Sequence, residues 1–355
     1  MNILVIGKFY TEGFGLHIAE TLEDMGHSVR RFEPGYRSDR LGGRIGYRID
    51  QVGRVVHSAS DSLPAVRARR MRELWKIAEQ APLDVVVVIY DYLWPSEVEE
   101  LKKRTGAVVA LWFPDTLANF DRALFMNASY DGIFFKDPFI VQMLQRVLAS
   151  PVHYLPECFN PDRHSAQDAT ATELDAYRCD ITTAGSQHSW RVAIFKHLTE
   201  YDIKIWGKPT ALWMNAGPVT RMYQGRPVYN RDKALAFRAS KIVLNTLYYG
   251  EIWGVNVRTF EIAGIGAFQL VDWRPGIEQL FAVGKELVCF RNIGELKEKI
   301  DYWLPRDEER MEIAAAGMRR AHAEHTYRLR LELLLDTMAG RSRGFEMPDI
   351  QGISL

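Results

Sequence analysis

The chain opens on an unbroken apolar run, Asn2–Gly7 (NILVIG), that ends in glycine. A continuous apolar run closed by a turn residue fits a strand buried on both faces in a parallel sheet. Lys8–Phe14 reads as a loop. Ile18, Leu22 and Met25 then recur at helical spacing over His17–Met25, and Gly26 is the stop. His27–Phe32 (HSVRRF) reads as a second strand, so the first thirty residues predict a βαβ unit. Beyond the irregular, Gly- and Arg-rich stretch Tyr36–Val56, a helix is expected over Ala65–Gln80, with Met71, Leu74, Trp75 and Ala78 on one face. Strands follow at Asp84–Tyr90 (DVVVVIY) and Ala107–Phe113 (AVVALWF), either side of a helix at Pro95–Thr105. Shorter strands at Gly132–Phe135 and Val152–Leu155 flank a helix at Phe139–Leu148.

Periodicity lapses over Pro156–Thr172, which reads as a linker. The alternation then restarts, with strands expected at Asp180–Ala184, Ile203–Trp206, Lys241–Asn245, Ala267–Asp272 and Gly284–Phe290. Helices are expected near Trp190–Leu198, at Arg231–Ala239, from Val257, at Ile293–Leu304 and from Asp307 onward. Strands that alternate with helices predict an α/β class with parallel sheets. The expected architecture is two consecutive Rossmann-like domains facing a cleft. The boundaries implied are 1–160, a linker at 161–172, 173–326, and a helix and tail at 327–355 that could cross back to the first domain.

Composition narrows the class. The chain has 355 residues, 47% apolar and 25% charged, which suits two ordered domains and excludes disordered or fibrous classes. Net charge is zero, so global charge names no partner. Cys158, Cys179 and Cys289 are scattered, with no paired spacing; that argues against a disulfide framework or zinc site and suits a reducing cytosol. With no signal-like start and no apolar run of about 18 residues, the expectation is a cytoplasmic protein without a transmembrane segment, peripheral membrane contact remaining open. One local asymmetry stands out. Tyr36–Lys76 carries ten Lys/Arg against four Asp/Glu, either a solvated basic face or a surface for an acidic acceptor or membrane.

Three segments carry candidate chemistry. In the first loop, Gly13 and Gly15 allow backbone to approach a ligand, and the following helix start offers N–H groups to an anion. A tight turn without ligand would use the same glycines, and their spacing from Gly7 is not that of a dinucleotide loop. His17, in the first turn, is a candidate base for an acceptor hydroxyl, or a structural histidine. Asp115, just past the strand ending at Phe113, stands where ligands meet open α/β sheets, or else caps a turn. The most informative segment is Gly254–Phe268 (GVNVRTFEIAGIGAF). Asn256 and Thr259 open a helix, and its terminus with Arg258 suits a diphosphate. Glu261, one turn on, can accept two hydrogen bonds from a ribose diol, or pair with Arg258 within the helix.

Gly185-Ser186, Arg191, Ile205-Trp206-Gly207, Ala239–Asn245 (ASKIVLN), the NVRTFEIAG segment, Gly284-Lys285-Glu286 and His325-Thr326-Tyr327 occur in that order. Together they resemble the carboxyl half of the CgeB-like (spore-maturation type) glycosyltransferases, which belong with the GT-B enzymes. The resemblance covers roughly Asp180–Leu334; the amino-terminal half matches in outline. It implies a transferase with no bound metal. A nucleotide-sugar donor (UDP-, GDP- or dTDP-sugar) would be held mainly by the second domain. Gly13, Gly15, Gly185, Arg191, Asn256, Arg258, Thr259 and Glu261 are then the expected donor contacts, and His17 and Asp115 the expected catalytic pair. Glu261 matches the ribose-holding glutamate of related enzymes. Retaining relatives often carry another glutamate eight residues earlier; here that position is Trp253, with Glu251 two residues further back, so the stereochemical outcome stays open. The acceptor is also open: glycan, protein, lipid-linked sugar or modified nucleic acid. A nucleotide-sugar epimerase, or a non-catalytic nucleotide-sugar binder, is the alternative on this fold.

Overall fold

A computed structural model describes residues 1–34, 56, 59–120 and 122–348. The Gly- and Arg-rich stretch, apart from Val56, and the end of the tail lie outside the described residues. The chain divides into two compact units. The first comprises Met1–Pro114, Phe120–Phe134 and Val147–Val152, and the second Asp115–Asn119, Phe135–Arg146 and His153–Leu355.

The amino-terminal sheet has six strands: β1 (Asn2–Ile6), β2 (Ser28–Phe32), β3 (Val85–Ile89), β4 (Val108–Phe113), β5 (Gly132–Phe135) and β6 (Val152–Tyr154), in the order β2-β1-β3-β4-β5-β6. β1 pairs in parallel with β2 and β3, and β3 with β4. The helices between are α1 (Phe14–Asp24), α2 (Pro64–Ala78), α3 (Pro95–Thr105) and α4 (Pro138–Gln145). Ile3–Ile6 and Val86–Ile89 are wholly buried, as unbroken apolar runs should be when helices cover both faces.

The second sheet holds β7 (Cys179–Ala184), β8 (Ile203–Trp206), β9 (Ser240–Asn245), β10 (Gln269–Asp272) and β11 (Val288–Phe290), in the order β11-β10-β9-β7-β8. Its helices are α5 (Ala171–Asp175), α6 (Ser189–Phe195), α7 (Asn230–Arg238), α8 (Val257–Ile265), α9 (Ile277–Leu280), α10 (Ile293–Trp303), α11 (Asp307–Glu324) and α12 (Tyr327–Met338). The chain leaves β7 toward β8 on one side and returns to β9 on the other. That reversal opens a crevice at the carboxyl ends of β7 and β9, the place where open α/β sheets bind ligands.

Most expected elements are present, with ends moved by a few residues. The strand expected from Gly284 is confined to Val288–Phe290, because Gly284 turns with φ 83° and its N–H donates to the Leu287 carbonyl. The stretch read as aperiodic linker runs into α5, whose start is fixed by a capping box between Thr170 and Glu173. The helix is five residues long and none of them is buried, so it left no apolar period to read. α8 begins at Asn256, whose side chain accepts from the Thr259 N–H at 3.2 Å, and stops at Gly266 in the left-handed region. Among the described residues no helix is long and apolar enough to cross a membrane.

Candidate functional site

The crevice at β7 and β9 is organised by a residue not singled out in sequence, Asn245, the fully buried last residue of β9. Its amide nitrogen lies 3.1 Å from Asn256 Oδ1, Thr259 Oγ1 and Gln269 Oε1. Its oxygen accepts from Asn256 Nδ2 at 3.1 Å and from an Arg258 guanidinium nitrogen at 3.4 Å. One side chain thereby ties β9, the start of α8 and β10 together, and sets where Arg258 points. Its place at the carboxyl end of the KIVLN strand was the available signal.

Arg191, on α6, comes to the same place. Its Nε donates to Thr246 Oγ1 at 2.9 Å and one terminal nitrogen to the Ser186 carbonyl at 2.7 Å. Gly185 ends β7 with φ 118°, and a Cβ there would strike the Arg258 guanidinium and lie 3.6 Å from that of Arg191. Glycine is required here by both backbone conformation and the approach of two cations. Arg191 is buried and Arg258 partly buried, and among the described residues neither has a carboxylate within ion-pair range. Burial first, then the field of Arg258, holds the Arg191 pKa well below its ordinary value. Burial also lowers Arg258, against the opposing pull of Glu261, Glu157 and Glu251. Two guanidinium groups side by side without an ion-pair partner, one buried and one partly buried, are unfavourable unless an anion joins them.

Glu261 is buried one turn along α8 from Arg258. It is no intrahelical partner of Arg258: Lys233 of α7 donates to it at 2.9 Å, and His164 Nε2 lies 3.7 Å away. Thr259 is fully buried inside the Asn245 network, so it supports the site rather than facing it. Lys196, which follows Arg191 on the chain, is exposed at the end of α6.

A second polar cluster lies within the same unit. Lys136, just past β5, donates to Glu157 at 3.1 Å and Glu251 at 2.9 Å, and all three are buried. Burial alone would lower the Lys136 pKa; the fields of Glu157 and Glu251 override it and raise it. Burial pushes Glu157 up to about 8 against the opposing effect of Lys136, and it raises Glu251 as well. Glu251 Oε2 is buried with no hydrogen-bond partner among the described residues. The loop carrying Glu251 is fixed from beneath by Asp137. That carboxylate caps α4 through the Phe139 N–H at 3.0 Å and accepts from the Ile252 and Trp253 N–H groups at 2.8 and 3.1 Å. Gly254 is glycine because a Cβ would lie 2.7 Å from the Lys136 carbonyl. Asp115, half-buried, accepts from the Thr116 N–H at 2.8 Å with Oδ1, the local turn contact weighed in sequence, and its charge reaches Lys136 and Glu157.

The remaining expected residues lie in the first unit. His17 is buried in the first turn of α1. A Cβ on Gly13 would lie 2.7 Å from the Tyr10 carbonyl, and one on Gly15 2.6 Å from that of Lys8. The loop's packing on itself thus accounts for both glycines without a ligand. The basic segment also divides. Arg67 is buried, donating through Nε and a terminal nitrogen to Glu97 at 2.7 and 2.6 Å and to Asp61 at 2.6 Å, whereas Arg69 and Arg72 are exposed. Arg67 is therefore no part of a receiving surface, because its charge is spent on fixing α2 to α3; the residues of this segment before Val56 lie outside the described residues.

With this geometry in hand, comparisons place the fold. Residues 188–336 match a family model described as glycosyl transferase-like. No curated protein matches the sequence. Solved structures align over nearly the whole chain. A glycosyltransferase from Rickettsia africae has TM-score 0.66 at 14% identity, covering 96% of this chain and 98% of its own. Anabaena HepE in complex with UDP-glucose has TM-score 0.65 at 11% identity, covering 96% and 100%. Sucrose-phosphate synthase from Thermosynechococcus elongatus has TM-score 0.62 at 10% identity, again covering 96% and 100%. The fold is thus two Rossmann-like parallel-sheet units, as in GT-B glycosyltransferase structures. A CgeB-like subtype, expected from the order of the motifs, is not distinguished by these matches.

Proposed function

We propose that this protein is a metal-independent glycosyltransferase whose second unit holds a nucleotide-sugar donor. The observation that carries this reading is the pair Arg191, buried, and Arg258, partly buried, side by side against Gly185 with no carboxylate within ion-pair range among the described residues. A diphosphate supplies the missing negative charge, and guanidinium groups match its oxygens in fork geometry. Departure of a nucleoside diphosphate builds negative charge on the leaving oxygen. The two arginines, fixed by Asn245, Thr246 and the Ser186 carbonyl before reaction begins, would stabilise that charge in place of a metal. Glu261, steadied by Lys233, accepts the ribose hydroxyls. Glu251 Oε2, buried and unpartnered, accepts a hydroxyl of the transferred sugar; Glu251 thus takes the role of the glutamate absent from position 253. Asp115 and His17 are the candidates for orienting and deprotonating the acceptor hydroxyl. The presence of UDP-glucose in one structural neighbour makes UDP-sugars the first donors to try.

The test is calorimetric titration of UDP, GDP and dTDP, and of their sugars, into the protein with and without excess EDTA. At least one should bind equally in both, and binding should fall at least about tenfold when Arg191 or Arg258 is changed to Gln, as expected for loss of a charge-assisted hydrogen bond. Loss of binding or transfer in EDTA, restored by magnesium or manganese, would show the mechanism to be wrong. Incubation with donor alone separates a transferase, which leaves it largely intact, from an epimerase, which converts it.

A further inference from the structure

Beside the arginine pair the second unit presents aromatic rings to solvent. Trp190 is 43% exposed and Tyr249 62% exposed. Their ring centroids are 6.2 Å apart. Tyr248 lies against Tyr249 at 4.0 Å with an interplanar angle of 37°, and His188 backs Tyr248 at 5.4 Å. The Tyr248 and Tyr249 hydroxyls are hydrogen-bonded to each other at 2.6 Å, so the wall has a polar rim. Both of its roots are tied to Arg191. Trp190 precedes it directly, and the two tyrosines follow Thr246, the residue that accepts from Arg191 Nε. Single exposed aromatics are common; several stacked together beside a buried cationic site mark a binding surface.

We propose that Trp190, Tyr248 and Tyr249 form a stacking platform for the pyranose ring of a saccharide acceptor. This rests on reading the arginine pair as the donor diphosphate site. A pyranose presents C–H groups on a face and hydroxyls around its rim, which matches an aromatic cleft whose Trp190 and Tyr249 planes meet at 69° and whose edge carries phenol groups. A nucleobase would also stack, but the order of groups along the donor argues against it. The ribose is assigned to Glu261, one turn along α8 from Arg258, and the base lies beyond the ribose. Trp190 adjoins Arg191, and Tyr248 and Tyr249 follow Thr246, which accepts from Arg191 Nε, so the platform stands beside the arginine pair rather than at Glu261. The transferred sugar is served by the buried carboxylate Glu251. The exposed rings suit the partner that arrives and leaves in each turnover.

The experiment compares wild type with the doubles Trp190→Ala/Tyr249→Ala and Trp190→Phe/Tyr249→Phe. The probes are UDP, UDP-glucose, maltotriose, cellotriose and chitotriose by calorimetry, and phosphatidylcholine–phosphatidylglycerol vesicles by flotation. At least one trisaccharide should bind wild type. Its affinity should fall at least about tenfold in the alanine double and recover in the phenylalanine double, the scale set by loss of ring stacking. UDP and UDP-glucose affinities should not change. Three results would overturn the proposal: no trisaccharide binding in a protein that binds UDP; a selective loss of UDP or UDP-glucose affinity, which makes the rings part of the donor site; or loss of vesicle capture alone, which makes them a lipid contact. Platform-dependent trisaccharide binding without any nucleotide binding would instead sink the donor reading and leave the platform standing.

Discussion

Arg258 and Glu261 lie three residues apart on α8, yet their surroundings give them opposite energetic signs. Arg258 is partly buried beside a second guanidinium without a carboxylate in ion-pair range, and desolvation lowers its pKa. In the empty protein its charge opposes folding, so Arg258→Met should leave the melting temperature unchanged or raise it, while nucleotide binding is lost. Replacing buried charge with apolar volume is often neutral or stabilising by about 1–4 kcal/mol. A clear fall in melting temperature without ligand would contradict this account of the arginine pair. Glu261 behaves in the other direction. Sequence alone suggests that Glu261→Gln removes ribose contacts and leaves the fold intact. With Lys233 buried 2.9 Å away, the substitution also removes a charged partner of a buried ammonium. We expect donor affinity to fall at least about tenfold, and stability to fall by up to about 3–5 kcal/mol, the range for breaking a buried pair. The double variant Glu261→Gln/Lys233→Met should recover much of the stability but none of the affinity; recovery of both would show that Glu261 acts only as a strut.

At the scale of elements, glycines and caps were legible because their requirements are local. Gly26 closes α1, Asn256 opens α8, and Gly266 closes it, each as its residue type suggests. What sequence could not show is which charges meet across elements. Arg67, Arg69, Arg70 and Arg72 read as one basic face, but α2 turns Arg67 inward onto Glu97 and Asp61, thirty and six residues away. Arg70 also meets Asp61, at 2.9 Å. The two kinds of arginine should separate on substitution. Arg67→Glu should destabilise the first unit by about 3–5 kcal/mol, since it places a carboxylate against two others in a buried site. Arg69→Glu with Arg72→Glu should shift stability by less than about 0.5 kcal/mol, as exposed substitutions do. Only that second pair can report on an acidic acceptor. Urea denaturation of the two variants decides it: equal losses would mean that the Arg67 network carries no stability.

Across the whole molecule, the alternation of apolar runs with helical periods was enough for two parallel sheets, because buried parallel strands have no polar face to obscure the pattern. The polar interior was not legible. Lys136, Glu157 and Glu251 come from three loops, the farthest pair 115 residues apart, and nothing in their local sequence joins them. Their meeting has a consequence for pH. Glu157 is pushed up to about 8 from an ordinary 4.5, chiefly by burial. The folded protein therefore holds a proton there that the unfolded chain releases above pH 4.5. Stability from this group is fully present below the unfolded value and is lost as pH rises through the folded one. His325 acts in the opposite sense at lower pH. Burial depresses it to about 3, so folding favours its neutral form and stability rises between about pH 3 and 6.5. The two limbs overlap, and unfolded His325 is still losing its proton near pH 6.5, so the difference between wild type and Glu157→Gln over pH 6.5 to 8 is what reports Glu157. Glu157→Gln keeps an acceptor for Lys136 and removes the titration. Melting temperatures measured at half-unit steps across that window should fall in wild type relative to Glu157→Gln. Parallel curves for the two proteins would mean that Glu157 is ionised throughout, with Lys136 neutralising it in full.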